Sequence, residues 1–261
     1  MLLALLVWAI TAGTVVLFIG KYWWFPPPIN AHGRAYDSHF TLTLVITGLI
    51  FFLAQLALGW VIAKYKDDGG RAQYTHGNNK LEALWTGAAA VLFIGLVVMG
   101  SRIWANVHFT GAPPNAMPIE VMAKQFAWSF RYPGPDGKFG HTDLKLVNDA
   151  AGNPFGIDES DPAAKDDITS SAIRVPVGRP ILLSLHARDV IHSFFVRELR
   201  LKQDLVPGME IPLHFQADQV GTYEVACAEL CGLGHHQMRS TLLVMSEADF
   251  QKWQQEQLAQ K

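Results

Sequence analysis

Residues 227 to 238 read Cys-Ala-Glu-Leu-Cys-Gly-Leu-Gly-His-His-Gln-Met and hold both cysteines of the chain, Cys227 and Cys231, followed by His235 and Met238. Two thiols, an imidazole and a thioether within twelve residues make a sulfur-rich donor set of the kind that favours copper. Four chemistries fit. In an exported domain the two cysteines form a disulfide. A Cys/Cys/His zinc site leaves the thioether idle, because zinc draws its ligands from thiolates, imidazoles and carboxylates. A mononuclear blue-copper site uses one Cys, two His and a Met, and leaves the second Cys without a role. A site with two bridging thiolates uses every one of these residues and needs one more imidazole. The stretch Asp189-Val-Ile-His-Ser-Phe-Phe-Val196 offers His192. His236 adjoins His235, whereas His186 and His214 lie in strand-like runs and read as packing or surface residues.

The pattern C-x-E-x-C-x-x-x-H-x-x-M, preceded by D-V-I-H-S-F, resembles the dinuclear CuA centre of cytochrome c oxidase subunit II. The resemblance implies a copper pair bridged by Cys227 and Cys231, with His192 and Met238 on one metal. His235 and the backbone carbonyl of Glu229 would serve the other. It also implies that the Glu229 carboxylate reaches a magnesium ion at the interface with subunit I, and that haems reside only in partner subunits.

Something must hold these loops together and outside the cell. Half the 261 residues are apolar and only 17% are charged, a low share for a soluble protein. Residues 1–20, 40–63 and 83–101 contain no Asp, Glu, Lys or Arg, and each approaches the roughly 20 residues that cross a bilayer as a helix. The first run has a rival reading as a secretory signal, but it lacks a basic start and a small-residue cleavage site; we expect a third membrane helix, one more than the usual subunit II plan. The 64–82 loop carries Lys64, Lys66, Arg71 and Lys80, against Lys21 and Arg34 in 21–39. The richer loop should face the cytoplasm, which delivers everything after residue 105 to the outside. Tyr22, Trp23, Trp24 and Trp104 read as interfacial anchors, with Pro26, Pro27 and Pro28 bending the chain away.

From residue 172 short β-type runs recur at 172–177, 181–187, 192–197, 211–216, 222–227 and 239–245, a spacing that suits an antiparallel sandwich or barrel. The fold class is thus an N-terminal transmembrane α-helical anchor followed by an all-β unit, cupredoxin-like on the resemblance. We divide the chain into an anchor over 1–105, a linker over 106–118, a copper domain over 119–246 and a terminal helix over 247–261, which Ser246-Glu-Ala-Asp249 caps. An acidic stretch, 133–171, rich in Gly, Pro and Asp, reads as an inserted loop. Residues 105–261 hold fourteen Lys and Arg against nineteen Asp and Glu, and an acidic domain attracts a basic partner.

Two further stretches match the family. His76 to Thr86 resembles the start of the second subunit II helix, where a Glu, here Glu82, marks the mouth of a proton path; carboxylates at helix starts also favour the dipole. Residues 119–132 resemble the aromatic stretch. Phe126 stands where many members carry the Trp that receives the electron, and Trp128 matches the second aromatic position. Arg197 replaces a common Pro, and Asp204-Leu-Val-Pro-Gly208 approaches the family's D-x-x-P-G turn. No C-x-x-C-H occurs, so no covalently attached c-type haem domain is fused to this chain.

The implied function is acceptance of electrons from a c-type cytochrome, or another one-electron donor, and their transfer to haem in subunit I for oxygen reduction. The expected setting is a bacterial-type inner membrane with the copper domain periplasmic, in contact with lipid and the other oxidase subunits and with no nucleic-acid partner. Quinol oxidase relatives have lost the copper residues, and nitrous oxide reductase needs a large propeller for which there is no room. A copper-containing nitric oxide reductase subunit stays open, as does a copper-free, membrane-anchored binding domain with one disulfide.

Overall fold

The computed structural model describes every residue except 22, 23, 68, 72, 73, 75 and 261. The chain forms two compact units: residues 1–25 with 36–103, and residues 26–35 with 104–261.

The first unit is helical. Leu2–Gly20 forms α1, Ala31–Lys64 α2 and Asn79–His108 α3; the first five residues of α2 and the last five of α3 belong to the second unit. All three are long and apolar enough to cross a membrane. Their flanks expose Leu5, Ile10, Val45, Leu53, Val91 and Val97, an apolar surface that belongs in lipid. Thr14, Thr43 and Thr47 return their hydroxyls to carbonyls four residues earlier, which pairs these three polar groups within the helix where lipid offers no partner. The sequence places the second helix at 40–63, but α2 begins at Ala31. Its extra turns carry His32, Arg34, Asp37, Ser38 and His39; at about 50 Å it outruns a hydrocarbon core of about 30 Å. Tyr22 and Trp23 lie outside the described residues. Trp24 is described, with the Lys21 ammonium 4.6 Å from its ring.

The second unit is a β-sandwich. Its strands are β1 (Met117–Lys124), β2 (Ala127–Tyr132), β3 (Ile168–Ser170), β4 (Ile173–Pro176), β5 (Ile181–Ala187), β6 (His192–Val196), β7 (Leu201–Leu205), β8 (Ile211–Phe215), β9 (Gly221–Cys227) and β10 (Arg239–Met245). One sheet has the order β3-β2-β1-β5-β8, the other β4-β10-β9-β6-β7. Alternation sets the faces: Met117, Ile119, Val121 and Ala123 of β1 point inward beside Ile181, Leu183, Leu185 and Ala187 of β5. From the other sheet Phe194, Val196, Val225, Leu242 and Val244 close the core. The sheets are mixed where the sequence suggested purely antiparallel pairing: β1 pairs β5, and β10 pairs β4, in parallel. Parallel partners need a long crossover, and the residues between β1 and β5 supply it. Glu247–Leu258 forms α4, capped by Ser246. It packs Phe250 and Trp253 against Tyr132.

The inserted stretch is more ordered than a solvated loop, and its last residues form β3. At its base Arg131, 1% exposed, pairs with fully buried Asp167. It also donates to Glu120 at 2.9 Å and to the Gly140 carbonyl at 2.6 Å. At its far end Asp149 reaches Lys124 at 2.7 Å and Arg188 at 2.6 Å. The insert thus straps the outer face of the first sheet. Residues 133–171 contain eight acidic and three basic residues, so they account for the whole −5 balance of residues 105–261.

Candidate metal centre

Parallel β1 and β5 end together, at Lys124 and Ala187. The chain then turns through 188–191 into β6, which starts at His192 and pairs antiparallel with β9, Phe194 opposite Cys227. The 227–238 loop leaves β9 at Cys227 and re-enters the sheet at Arg239, opposite Ala226. One end of the sandwich therefore carries three segments side by side: the β1–β2 turn, the loop before β6 and the loop between β9 and β10. Within the last, Cys227 N–H donates to the Met238 carbonyl at 3.2 Å and Ala228 N–H to the Ser193 carbonyl at 3.0 Å, which ties the loop's ends to both neighbours.

The donor atoms converge. Cys227 Sγ lies 3.9 Å from Cys231 Sγ, 3.9 Å from His192 Nδ1 and 3.2 Å from the Glu229 carbonyl. Cys231 Sγ lies 3.6 Å from His235 Nδ1 and 3.8 Å from Met238 Sδ. Ligand atoms of His192, Cys227 and Cys231 all fall within 4.8 Å of one another. His192, both cysteines and Met238 are buried. The thiols are free, at nearly twice the roughly 2.05 Å of a disulfide, which removes the disulfide alternative from this structure. Two sulfurs, two imidazoles, a thioether and a carbonyl also exceed the four ligands of a tetrahedral zinc site. A soft set of this size fits a copper pair. Burial, reinforced by Cys227, pushes the Cys231 thiol up to about 11, so without a metal it keeps its proton and metal binding must displace it.

Around the donors, Asp189 Oδ1 meets His192 Nε2 at 2.8 Å. Burial pushes Asp189 upward, yet the Gln125 main-chain N–H, His192 and the Val190 N–H outweigh it and hold the carboxyl below its ordinary range. Trp128, 3% exposed, lies edge-on to His192 at 6.4 Å and to Phe194 at 5.9 Å; its Nε1–H donates to the Met238 carbonyl at 3.4 Å. It is both core and floor of the site. Phe126 is 39% exposed and lies on the backbone of Gly232 and Gly234, where an added Cβ would meet its ring at 3.2 Å and 2.4 Å. The Glu229 side chain is exposed. Glu82 sits exposed on the first turn of α3 in the helical unit. The cap there is Asn78, whose Oδ1 accepts from Lys80 and Leu81 N–H; among the described residues the Glu82 carboxylate makes no capping bond. Sequence reading missed Asp189 and Gln125 as supports of the site; an acid three residues before the candidate ligand His192 was the available signal.

The family described as "Cytochrome C oxidase subunit II, periplasmic domain" matches residues 117–245. The chain is 35% identical over 265 residues to the alternative cytochrome c oxidase subunit 2 of Bradyrhizobium diazoefficiens, spanning 98% of this chain and 92% of that protein. It is 31% identical over 284 residues to cytochrome c oxidase subunit 2 of Thermostichus vulcanus, with coverages of 97% and 86%. Among solved structures, the periplasmic domain of subunit II of cytochrome oxidase of Bradyrhizobium japonicum is 24% identical, covers 57% of this chain and 99% of that one, and aligns with a TM-score of 0.43.

Proposed function

The chain belongs to the cytochrome c oxidase subunit II family, and so is a subunit of a haem–copper terminal oxidase; within it, we propose, this subunit accepts electrons outside the membrane and passes them to haem in subunit I. The observation that carries this is the convergence of Cys227, Cys231, His192, His235, Met238 and the Glu229 carbonyl at one end of the sandwich. When bound there, a dinuclear copper centre supplies one-electron relay.

The residues' roles follow from their positions. Cys227 and Cys231 would hold the copper pair through their sulfurs, with His192, Met238, His235 and the Glu229 carbonyl as the remaining ligands. The loops spring from paired strands, so the donor cage resists rearrangement. Trp128 closes the floor against water. Phe126, exposed and seated on the same loop, receives the donor, while the exposed Glu229 carboxylate is free to meet magnesium at the subunit I interface. The relatives' names specify cytochrome c, which favours a c-type cytochrome as donor and oxygen as acceptor. The acidic insert offers a basic donor a complementary flank. Glu82, uncapped on the first turn of α3, takes up protons from the cytoplasmic side of a bacterial inner membrane, and the periplasm holds the β unit, as the basic 64–82 loop requires.

The test is the oxidase purified with its partners. Reduced c-type cytochrome should be oxidised with oxygen consumption, and metal analysis should return a copper pair in this subunit. Consumption of nitric oxide instead of oxygen, or a copper-free subunit at full turnover, overturns the reading.

A further inference from the structure

Asp189 lies in the loop between β5 and β6, three residues before His192. His192 turns Nε2 to Asp189 Oδ1 at 2.8 Å and Nδ1 to Cys227 Sγ at 3.9 Å. A carboxylate only accepts, and a neutral imidazole carries one N–H. Nε2 therefore holds the proton and the Nδ1 lone pair points at the thiols. The second oxygen, Oδ2, accepts from the Gln125 main-chain N–H at 2.7 Å. The Gln125 side chain in turn donates to the Cys231 carbonyl at 2.6 Å. Val190 N–H adds a bond to Oδ1 at 2.8 Å. One carboxylate thus joins the His192 loop to the β1–β2 turn, and that turn grips the loop that carries Cys231. The neighbouring cation makes no hydrogen bond to this carboxylate: Arg188 turns to Asp149 and only adds a through-space attraction to Asp189.

We propose that Asp189 is a positioning residue of the metal centre: it fixes the His192 ring with Nδ1 toward the metal and, through Gln125, keeps that ring in register with the Cys231 loop. This rests on the reading of the 227–238 cluster as a copper site. Partners of this kind fix the tautomer of a ligating imidazole and raise its basicity, and their loss weakens metal binding by about 10–100-fold.

The test uses the full chain in its oxidase, with copper ions as the probe and three readouts: copper affinity, the paramagnetic resonance spectrum and the midpoint potential. Asp189→Ala should weaken copper retention by about 10–100-fold and alter the copper hyperfine pattern. Asp189→Asn keeps an acceptor oxygen for Nε2–H but turns an amide NH2 toward the Gln125 N–H and loses the negative charge; it should recover part of the affinity and raise the potential. Arg179→Ala breaks a surface ion pair with Glu247 at the other end of β5 and should leave affinity, spectrum and potential as in the parent protein. Parental affinity and potential in Asp189→Ala overturn the proposal. If that variant does not assemble, a parental potential in Asp189→Asn overturns it equally. A parent protein that holds no copper pair defeats the copper reading itself, which separates the two failures.

Discussion

Gly234→Ala tests whether the β1–β2 turn is packed onto the metal loop. Gly234 has φ −89°, a value open to alanine, so any cost is steric. The new Cβ would stand 2.4 Å from Phe126 Cδ2 and 2.6 Å from Cγ, where carbon atoms prefer about 3.5–4.0 Å. The ring must retreat by about 1 Å. Cγ lies on the axis about which the ring turns, so ring rotation moves Cδ2 but cannot clear Cγ. Phe126 is 39% exposed, so it yields into solvent and the cost falls at the lower end of the roughly 1–3 kcal/mol for overpacking. For a unit of this size that lowers Tm by about 2–6 °C. Thermal melts of the detergent-solubilised chain read this directly. In a Phe126→Ala background the same substitution should be nearly neutral, with a coupling of at least about 0.5 kcal/mol. A Gly234→Ala protein that melts with the parent, or loses equally in both backgrounds, would refute the packing.

Arg131→Ala leaves the fully buried Asp167 unpaired, which costs about 3–5 kcal/mol and lowers Tm by about 6–20 °C. Burial already raises the Asp167 carboxyl above its ordinary range, so protonation relieves the variant and its deficit in a melt should shrink as pH falls. Asp149 is held at about 2 against an ordinary 3.8 by hydrogen bonds from Arg188 and then Lys124. A depressed folded value contributes stability above the ordinary value and loses it as pH falls toward the folded one. The Tm gap between the parent and Asp149→Asn should therefore be open near neutrality and closed by about pH 2, and worth under about 1 kcal/mol because the pair is exposed. Glu82→Gln should slow proton-coupled turnover of the oxidase with the copper spectrum intact; unchanged proton uptake removes Glu82 from the path.

The donor cluster was legible because chemistry fixed its spacing. Cys227, Cys231, His235 and Met238 share one loop, and His192 sat in a second motif of restrictive residue types. The helices were legible by charge-free length, but the start of α2 was not: helix geometry continues through polar residues once they leave lipid, and hydropathy cannot register that. The two parallel strand pairs were hidden because register between β1 and β5 depends on contacts more than fifty residues apart. The 133–171 stretch read as loop from its Gly, Pro and Asp content. Its order comes from Arg131 and Asp149 pairing across the sheet, partnerships that no local pattern announces. Asp189 was visible as a letter of a motif, and only its two bonded oxygens disclosed a role.

The central claim is that Cys227 and Cys231 bridge a copper pair. Paramagnetic resonance of the oxidised protein, with copper quantified per chain, tests it most directly. A copper pair held by both thiols gives a mixed-valence signal shared by two metals in the parent protein, abolished by Cys227→Ser and by Cys231→Ser alike. A single localised copper, or a mixed-valence signal that survives either substitution, contradicts it.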